Sequence, residues 1–162
     1  MTIICIKDGV VAADGSSWQG SILIRTDERK LCRSRDGAIG GSSGFAGDTL
    51  IFRRWFSATS TPVERQEALP KDHPLILSKE SQFEGIWLDV DGEVWKIDYE
   101  GKPLGLGRGP QACGAAWQFA LGAMFSGLSA DDAVHLCVRF HDAAGGQVFV
   151  ERLGIAKADD LA

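Results

Sequence analysis

The sequence contains no long apolar run and no recognisable address to a membrane. No stretch approaches the roughly 18 consecutive apolar residues that a membrane-spanning helix needs, so no membrane partner is expected. The N-terminal segment lacks the basic region, apolar core and small-residue cleavage site of a signal peptide. Internal repeats and low-complexity tracts are also missing, which favours an ordinary folded protein.

Basic residues are in the minority. The chain has 17 lysines and arginines against 22 aspartates and glutamates, which gives a net charge of -5. A nucleic-acid-binding protein usually concentrates positive charge, so no nucleic-acid partner is expected. A content of 44% hydrophobic and 24% charged residues is typical of a globular protein. The length of 162 residues predicts one domain covering the whole chain.

Cysteine and histidine do not occur in metal-binding patterns. The four cysteines (Cys5, Cys32, Cys113 and Cys137) lie in apolar segments without a Cys-x-x-Cys pair, and only three histidines are scattered among them. This distribution favours buried, reduced thiols over disulfides or zinc ligands. The sequence therefore predicts a cytoplasmic protein without a metal or other cofactor.

The first third of the chain has the pattern of β-strands. Residues 2–6 and 10–14 are β-branched and apolar, and the Lys7-Asp8-Gly9 segment between them is typical of a hairpin. Because apolar residues occupy both alternating faces of the first strand, we expect it to be buried on both sides. Further strands are predicted at 21–25, paired with 30–34, and at 38–43, and a helix is predicted at 47–57.

The remainder of the chain alternates between irregular and regular patterns. Residues 57–80 combine Ser, Thr, Pro and mixed charge without periodicity, which predicts a surface loop or flap. Ser129 is placed to cap a helix. Strands are predicted at 83–89 and 94–98, helices at 110–125 and 129–140, and a last strand at 147–152. This order favours an α+β sandwich with helical layers around a buried sheet system.

Thr2, directly after Met1, has the chemistry of a self-contained nucleophile. Its small side chain permits removal of Met1, which would leave a hydroxyl and a free α-amine on one residue. An α-amine with a pKa of about 7.7–8 can accept the hydroxyl proton near neutral pH. Position 2 alone is weak evidence, because an ordinary second residue of a chain can also be threonine.

The surroundings of Thr2 carry a family resemblance. The run from 2 to 14, with its Val-Val-Ala-Ala-Asp second strand, resembles the opening hairpin of the proteasome β-subunit and HslV-like N-terminal nucleophile (Ntn) hydrolases. It is most similar to short phage-type or bacterial members. Lys30, Gly44 and Asp142 follow in the order and spacing of the family's catalytic lysine, oxyanion glycine and amine-fixing aspartate. The resemblance covers residues 1–57 and about 104–153.

This resemblance implies a four-layer αββα sandwich and a role for each matched residue. Thr2 would be the nucleophile, Lys30 would stay charged and favour its alkoxide, and Asp14 would hold Lys30. Gly44 would supply an amide to the oxyanion, and Asp142 would fix the threonine amine. Each residue also has an ordinary structural interpretation, such as a solvated charge pair or a turn glycine.

The resemblance also predicts the substrate cleft and the departures within it. Trp18, Arg108 and Ala46 are expected to line the cleft. Trp18 stands where the family has a substrate-binding threonine, Arg108 where it has a serine, and Gly145 lacks the hydroxyl of another family serine.

Two functions from different classes follow from this pattern. The first is a threonine-type peptidase or amidase that acts on peptides or unfolded polypeptides inside a homo-oligomeric ring, served by an ATP-dependent unfoldase. The alternative is a non-catalytic proteasome-like assembly or binding protein with a degenerate site.

Overall fold

The computed structural model describes residues 1–154 and has a mixed α+β architecture built on antiparallel sheets. The predicted α+β class is thereby confirmed. The elements in chain order are β1 (Ile3–Lys7), β2 (Val10–Asp14), β3 (Ser17–Gln19), β4 (Ile22–Arg25), β5 (Leu31–Arg33), β6 (Ile39–Ser43), α1 (Ala46–Ala58), α2 (Pro62–Gln66), β7 (Glu84–Leu88), β8 (Val94–Asp98), β9 (Leu104–Gly107), β10 (Gln111–Gly114), α3 (Trp117–Phe125), α4 (Ala130–Phe140) and β11 (Val148–Arg152).

The first sheet has the strand order β10-β1-β2-β11 and contains the predicted N-terminal hairpin. β1 and β2 pair antiparallel around a turn at Asp8 and Gly9, with Ile4 opposite Ala13. Residues 3–6 are 0–1% exposed, so β1 is buried on both faces as its sequence predicts. The register of this hairpin therefore fixes which residues lie side by side at its open end.

Three apolar clusters pack the elements together. One lies between the first sheet and helices α3 and α4, and includes Ile3 and Cys5. The second joins the alternate face of β1, with Ile4 and Ile6, to the five-stranded sheet of order β5-β6-β7-β8-β9. The third packs the outer face of that five-stranded sheet against Phe52 and other residues of α1. The core is thus divided by two sheets.

The helix predicted at 110–125 is wrong in its first part. Residues 111–114 form β10, which pairs antiparallel with β1, and α3 begins only at Trp117. Pro110 suggested a helix start, but Cys113 and Ala112 face opposite sides of the first sheet and enter different clusters. Tertiary pairing with the edge of β1 that β2 leaves open therefore outweighs the local helical pattern.

The predicted pairing of strands 21–25 and 30–34 is also wrong. β4 pairs with β3, which the sequence pattern missed, whereas β5 pairs with β6 in the five-stranded sheet. The turn at Gly20 joins β3 and β4 more closely than residues 26–30 join β4 and β5. Closure of the shorter loop explains the observed pairing.

Residues 57–80 differ in part from the predicted surface loop or flap. They include the short helix α2, whose N-cap hydroxyl on Thr61 accepts from the amide of Glu64. Arg65 and Leu75 in this segment are fully buried, so the segment packs against the five-stranded sheet over part of its length. The predictions for α1, the β7–β8 hairpin, the Ser129-capped α4 and β11 are confirmed with small shifts of their ends.

No helix within residues 1–154 combines the length and the apolar character needed to cross a membrane.

Candidate active site

Three of the predicted residues meet at the open end of the N-terminal hairpin. Thr2 immediately precedes β1, Asp14 ends β2, and Lys30 immediately precedes β5. The hairpin register brings Asp14 opposite the start of β1, and the Ile3 amide donates to Asp14 Oδ1 over 2.9 Å. Thr2 and Lys30 are 9% exposed and Asp14 is 0% exposed. The sheet thus creates a buried polar cluster at the edge of an apolar core.

Asp14 lies at the centre of this cluster, and its carboxylate accepts hydrogen bonds from the groups around it. Lys30 Nζ donates to Oδ1 over 2.8 Å, forming a buried ion pair. Oδ2 accepts from the Ser16 hydroxyl at 2.5 Å, the Ser16 amide at 3.3 Å and the Gly145 amide at 3.1 Å. A buried carboxylate held by this many donors is a rigid counter-charge for Lys30.

The Lys30 ammonium and the Thr2 hydroxyl converge on one oxygen. Thr2 Oγ1 donates to the Met1 carbonyl over 2.8 Å, and Lys30 Nζ reaches the same oxygen at 3.3 Å. Burial lowers the pKa of Lys30, although the Asp14 carboxylate opposes that shift. Burial and the neighbouring Lys30 also lower the pKa of the Met1 α-amine. A hydroxyl and a cation are therefore positioned around a single carbonyl group.

Gly44 and Ala46 line the same region from the other side. Gly44 follows β6 with a φ of 131°, a conformation that favours glycine, and α1 begins two residues later at Ala46. Gly44 borders both cavities beside Thr2, and Ala46 borders the smaller one, of about 90 Å³. The first amides of α1 have no partner inside the helix, so this end is suited to an anion.

The larger cavity is a cleft of about 640 Å³ that runs from Thr2 across Trp18. Trp18 is half-buried and borders both cavities, as the sequence predicts for a cleft residue. The remaining aromatic and acidic side chains of the cleft are Phe45, Phe83, Tyr99, Glu84 and Asp98.

Two predicted site residues lie elsewhere. The Asp142 side chain is fully exposed beside His141, and it is the Gly145 amide of the same loop that reaches Asp14. Arg108 donates to the Asp91 carbonyl at the β7–β8 turn and does not border the cleft. The misplaced helix start explains the second difference, because β10 separates Arg108 from α3.

The segment that precedes α3 at the cleft is Gly114-Ala115. Both residues border the cleft beside Thr2. A Cβ on Gly114, whose φ is 98°, would lie 2.1 Å from the Thr2 carbonyl oxygen, so only glycine allows β10 to approach this closely.

Ser16 belongs to the buried polar cluster, although the sequence pattern did not single it out. It is 0% exposed and bonds to Asp14 through both its amide and its hydroxyl. A hydroxyl two residues after a strand-ending aspartate was the available signal, since such residues often bond locally in turns.

The described residues provide no evident metal centre. Within 1–154, no group of three or more His, Cys, Asp or Glu side chains is arranged to hold an ion.

Comparison with known proteins gives a fold likeness alone. Neither a protein-family model nor a curated protein matches the chain. Among solved structures, Thiobacillus denitrificans BPH in complex with epoxomicin aligns with a TM-score of 0.65 and 21% identity over 94% of this chain and 98% of that one. A second structure of Thiobacillus denitrificans BPH aligns with a TM-score of 0.63 and 21% identity, covering 95% and 98%. The chain therefore shares the fold of these structures.

Proposed function

We propose that this chain is a threonine-type peptidase or amidase of the proteasome β-subunit and HslV-like kind, with Thr2 as nucleophile after removal of Met1. The observation that carries the proposal is the convergence of the Thr2 hydroxyl and the Lys30 ammonium on one carbonyl oxygen. That oxygen belongs to the amide before Thr2. Once Met1 is removed, the same two groups are free to contact the carbonyl of a bound substrate.

The architecture and the comparison support the same proposal. The three apolar clusters divide the chain into helices, sheet, sheet and helix, which is the order expected of an Ntn-type αββα sandwich. One structural neighbour is bound to epoxomicin, a proteasome inhibitor. An inhibitor of threonine proteases in a related fold agrees with a nucleophilic threonine at this position.

The chemistry follows from the charges around Thr2. The free Thr2 amine accepts the hydroxyl proton, and Oγ1 attacks the substrate carbonyl to give a tetrahedral intermediate. The C–N bond then breaks as the protonated amine returns its proton to the nitrogen of the leaving peptide, and an ester on Thr2 remains. Lys30 stabilises the developing alkoxide, and Asp14 holds Lys30 in place. The Gly44 amide, next to α1, is proposed to bind the tetrahedral oxyanion. Water then hydrolyses the ester with the same amine as base.

We infer that peptides or unfolded polypeptides are the substrates, that the chain assembles into a homo-oligomeric ring, and that an ATP-dependent unfoldase can deliver substrate. Ile22, Leu23 and Ile24 of β4 are 65%, 44% and 54% exposed, an apolar ribbon suited to subunit contact. Sedimentation of the wild-type protein should give an oligomer that an Ile22→Ser/Ile24→Ser variant weakens. A wild-type protein that sediments only as a monomer contradicts the ring.

The second candidate function is a non-catalytic assembly or binding protein. Trp18 favours it, because a bulky indole borders the cleft where the resembling family has a small threonine. An indole offers one donor and no acceptor, which narrows the ways a peptide backbone can bind.

An assay of peptide hydrolysis separates the two candidate functions. It measures the α-amines that are released from a random peptide mixture. We expect turnover by the Met1-free protein, none by Thr2→Ala and partial activity of Thr2→Ser. Thr26→Ala is the matched control, because Thr26 is exposed. Equal turnover by the wild-type protein and Thr2→Ala would contradict the proposal.

A further inference from the structure

A continuous chain of hydrogen bonds joins the wall of the cleft to the buried ion pair. Trp18 Nε1 donates to Ser16 Oγ over 3.1 Å, and Ser16 Oγ donates to Asp14 Oδ2 over 2.5 Å. Lys30 donates to the other oxygen of the same carboxylate. The chain therefore runs from an indole that faces the cleft to the cation beside Thr2.

The direction of each hydrogen bond in this chain is fixed by chemistry. An indole N–H can only donate, and an ionised carboxylate can only accept. Ser16 has a single hydroxyl proton, so it must accept from Trp18 and donate to Asp14. No alternative orientation of the hydroxyl satisfies both neighbours, and the indole N–H is consequently restrained by Ser16.

The backbone around Ser16 reinforces this restraint. The Ser16 amide also donates to Asp14, and the Gly15 amide donates to the Gly145 carbonyl. The register of the β3–β4 ribbon shifts between Ser17 and Trp18, a local irregularity of the kind that re-aims side chains. Trp18 is half-buried and borders the cleft, so part of its side chain is accessible to a ligand.

We propose that Trp18 is a specificity-determining residue of the cleft and that Ser16 is the positioning residue that holds it. The role in specificity rests on the proposed function of Thr2; the hydrogen-bond chain does not. An indole restrained at the wall of the cleft favours substrates with an apolar or aromatic side chain next to the scissile bond, because such side chains can stack against its accessible surface. Glycine at that position offers nothing to stack.

The first arm of the test uses no activity. In an NMR spectrum of the indole N–H groups, the Trp18 signal is the one of five that Trp18→Phe removes. We expect that signal to exchange slowly with solvent in the wild-type protein and fast in Ser16→Ala. The exposed Trp117 provides the reference for an unrestrained indole. A Trp18 signal with the same exchange rate in both proteins would overturn the positioning role.

The second arm measures hydrolysis of matched peptides with phenylalanine or glycine next to the scissile bond. Trp18→Phe and Ser16→Ala should each raise KM for the phenylalanine peptide about three- to tenfold, the value of one hydrogen bond, with kcat changed less. The double variant should raise KM no more than the single variant with the larger effect, because both substitutions remove the same restraint. Trp117→Phe should leave KM unchanged.

Each result of the second arm decides the proposal. Additive effects of Trp18→Phe and Ser16→Ala on KM would overturn it, as would equal KM changes for the two peptides. If the wild-type protein hydrolyses neither peptide, the proposed function and the specificity role both fail. The indole exchange measurement distinguishes that outcome, because it reports the hydrogen-bond chain without turnover.

Discussion

Two opposing effects act on the pKa of Lys30. Its burial lowers the pKa of the ammonium from the ordinary value of 10.5, while Asp14 raises it. The pKa of the Met1 α-amine is likewise lowered from 8.0, first by burial and then by Lys30. A charged Lys30 and a neutral amine are both needed in the proposed mechanism, so the pKa values of the two groups limit activity from opposite sides.

The pH dependence of kcat/KM should therefore be bell-shaped. Activity rises with pH as the amine freed on Thr2 loses its proton. The nearby Lys30 cation should favour the neutral form of that amine, just as burial and then Lys30 lower the pKa of the Met1 α-amine. Activity falls again as Lys30 loses its charge, below 10.5. In Lys30→Arg the alkaline limb should disappear, because arginine keeps its charge throughout this range. The measurement is a kcat/KM profile from pH 5 to about 11.

An alkaline limb that stays in place in Lys30→Arg would show that another group controls it. Lys102→Arg is the matched control, since the Lys102 side chain is 74% exposed.

Individual site residues could be predicted where neighbouring strands fix them. Asp14 and Thr2 meet because a short hairpin has one register once its two apolar faces are set. Asp142 could not be located in this way, since it lies on a loop whose backbone, through Gly145, makes the contact. Ser16 was missed because its role depends on burial, which a polar turn sequence does not reveal.

Among the elements, α2 is held to the five-stranded sheet by one buried cation, Arg65. The Arg65 guanidinium donates to both oxygens of Asp36 over 2.8 Å and to Asp89 Oδ1 over 2.6 Å. Arg65 and Asp89 are fully buried. Although burial alone lowers its pKa, the hydrogen bonds to the two carboxylates raise the pKa of Arg65 overall.

Arg65→Met should destabilise the fold by about 3–5 kcal/mol, because it leaves the buried Asp89 carboxylate without its cation. The expected result in urea unfolding is a lower midpoint, and limited proteolysis should cut residues 57–80 first. Arg54→Met, at an exposed position of α1, is the matched control and should change little. Equal midpoints for the two variants would contradict the anchoring role of Arg65.

Most strands and helices could be predicted from local pattern, and the missed strands share one cause. Residues 17–19, 104–107 and 111–114 are short strands whose partners are set by tertiary pairing, to β4, β8 and β1 respectively. The strength of a three- or four-residue strand depends on what lies beside it, and local propensity is a weak guide there.

In the molecule as a whole, the cleft beside Thr2 is bordered by acidic side chains. Among residues 1–154, Glu84 and Asp98 are the charged side chains that border it, and they lie opposite each other on β7 and β8. Lys96, two residues before Asp98 on the same face, does not border the cleft. A substrate side chain in this region therefore meets negative potential.

Peptides with lysine near the scissile bond should be hydrolysed roughly fivefold faster, in kcat/KM, than matched glutamate peptides at low salt. This ratio corresponds to about 1 kcal/mol for one exposed ion pair, and added salt should reduce it. Glu84→Gln should lower the ratio, whereas Glu67→Gln, at an exposed position away from the cleft, should not. A preference for glutamate peptides would contradict this charge argument.

The most direct test of the central claim is the intact mass of the native protein before and after incubation with epoxomicin. We expect a wild-type chain without Met1 that gains one inhibitor molecule, and a Thr2→Ala chain that gains none. Thr26→Ala should react like the wild-type protein. A wild-type chain that retains Met1 and stays unmodified would contradict the assignment of Thr2 as nucleophile.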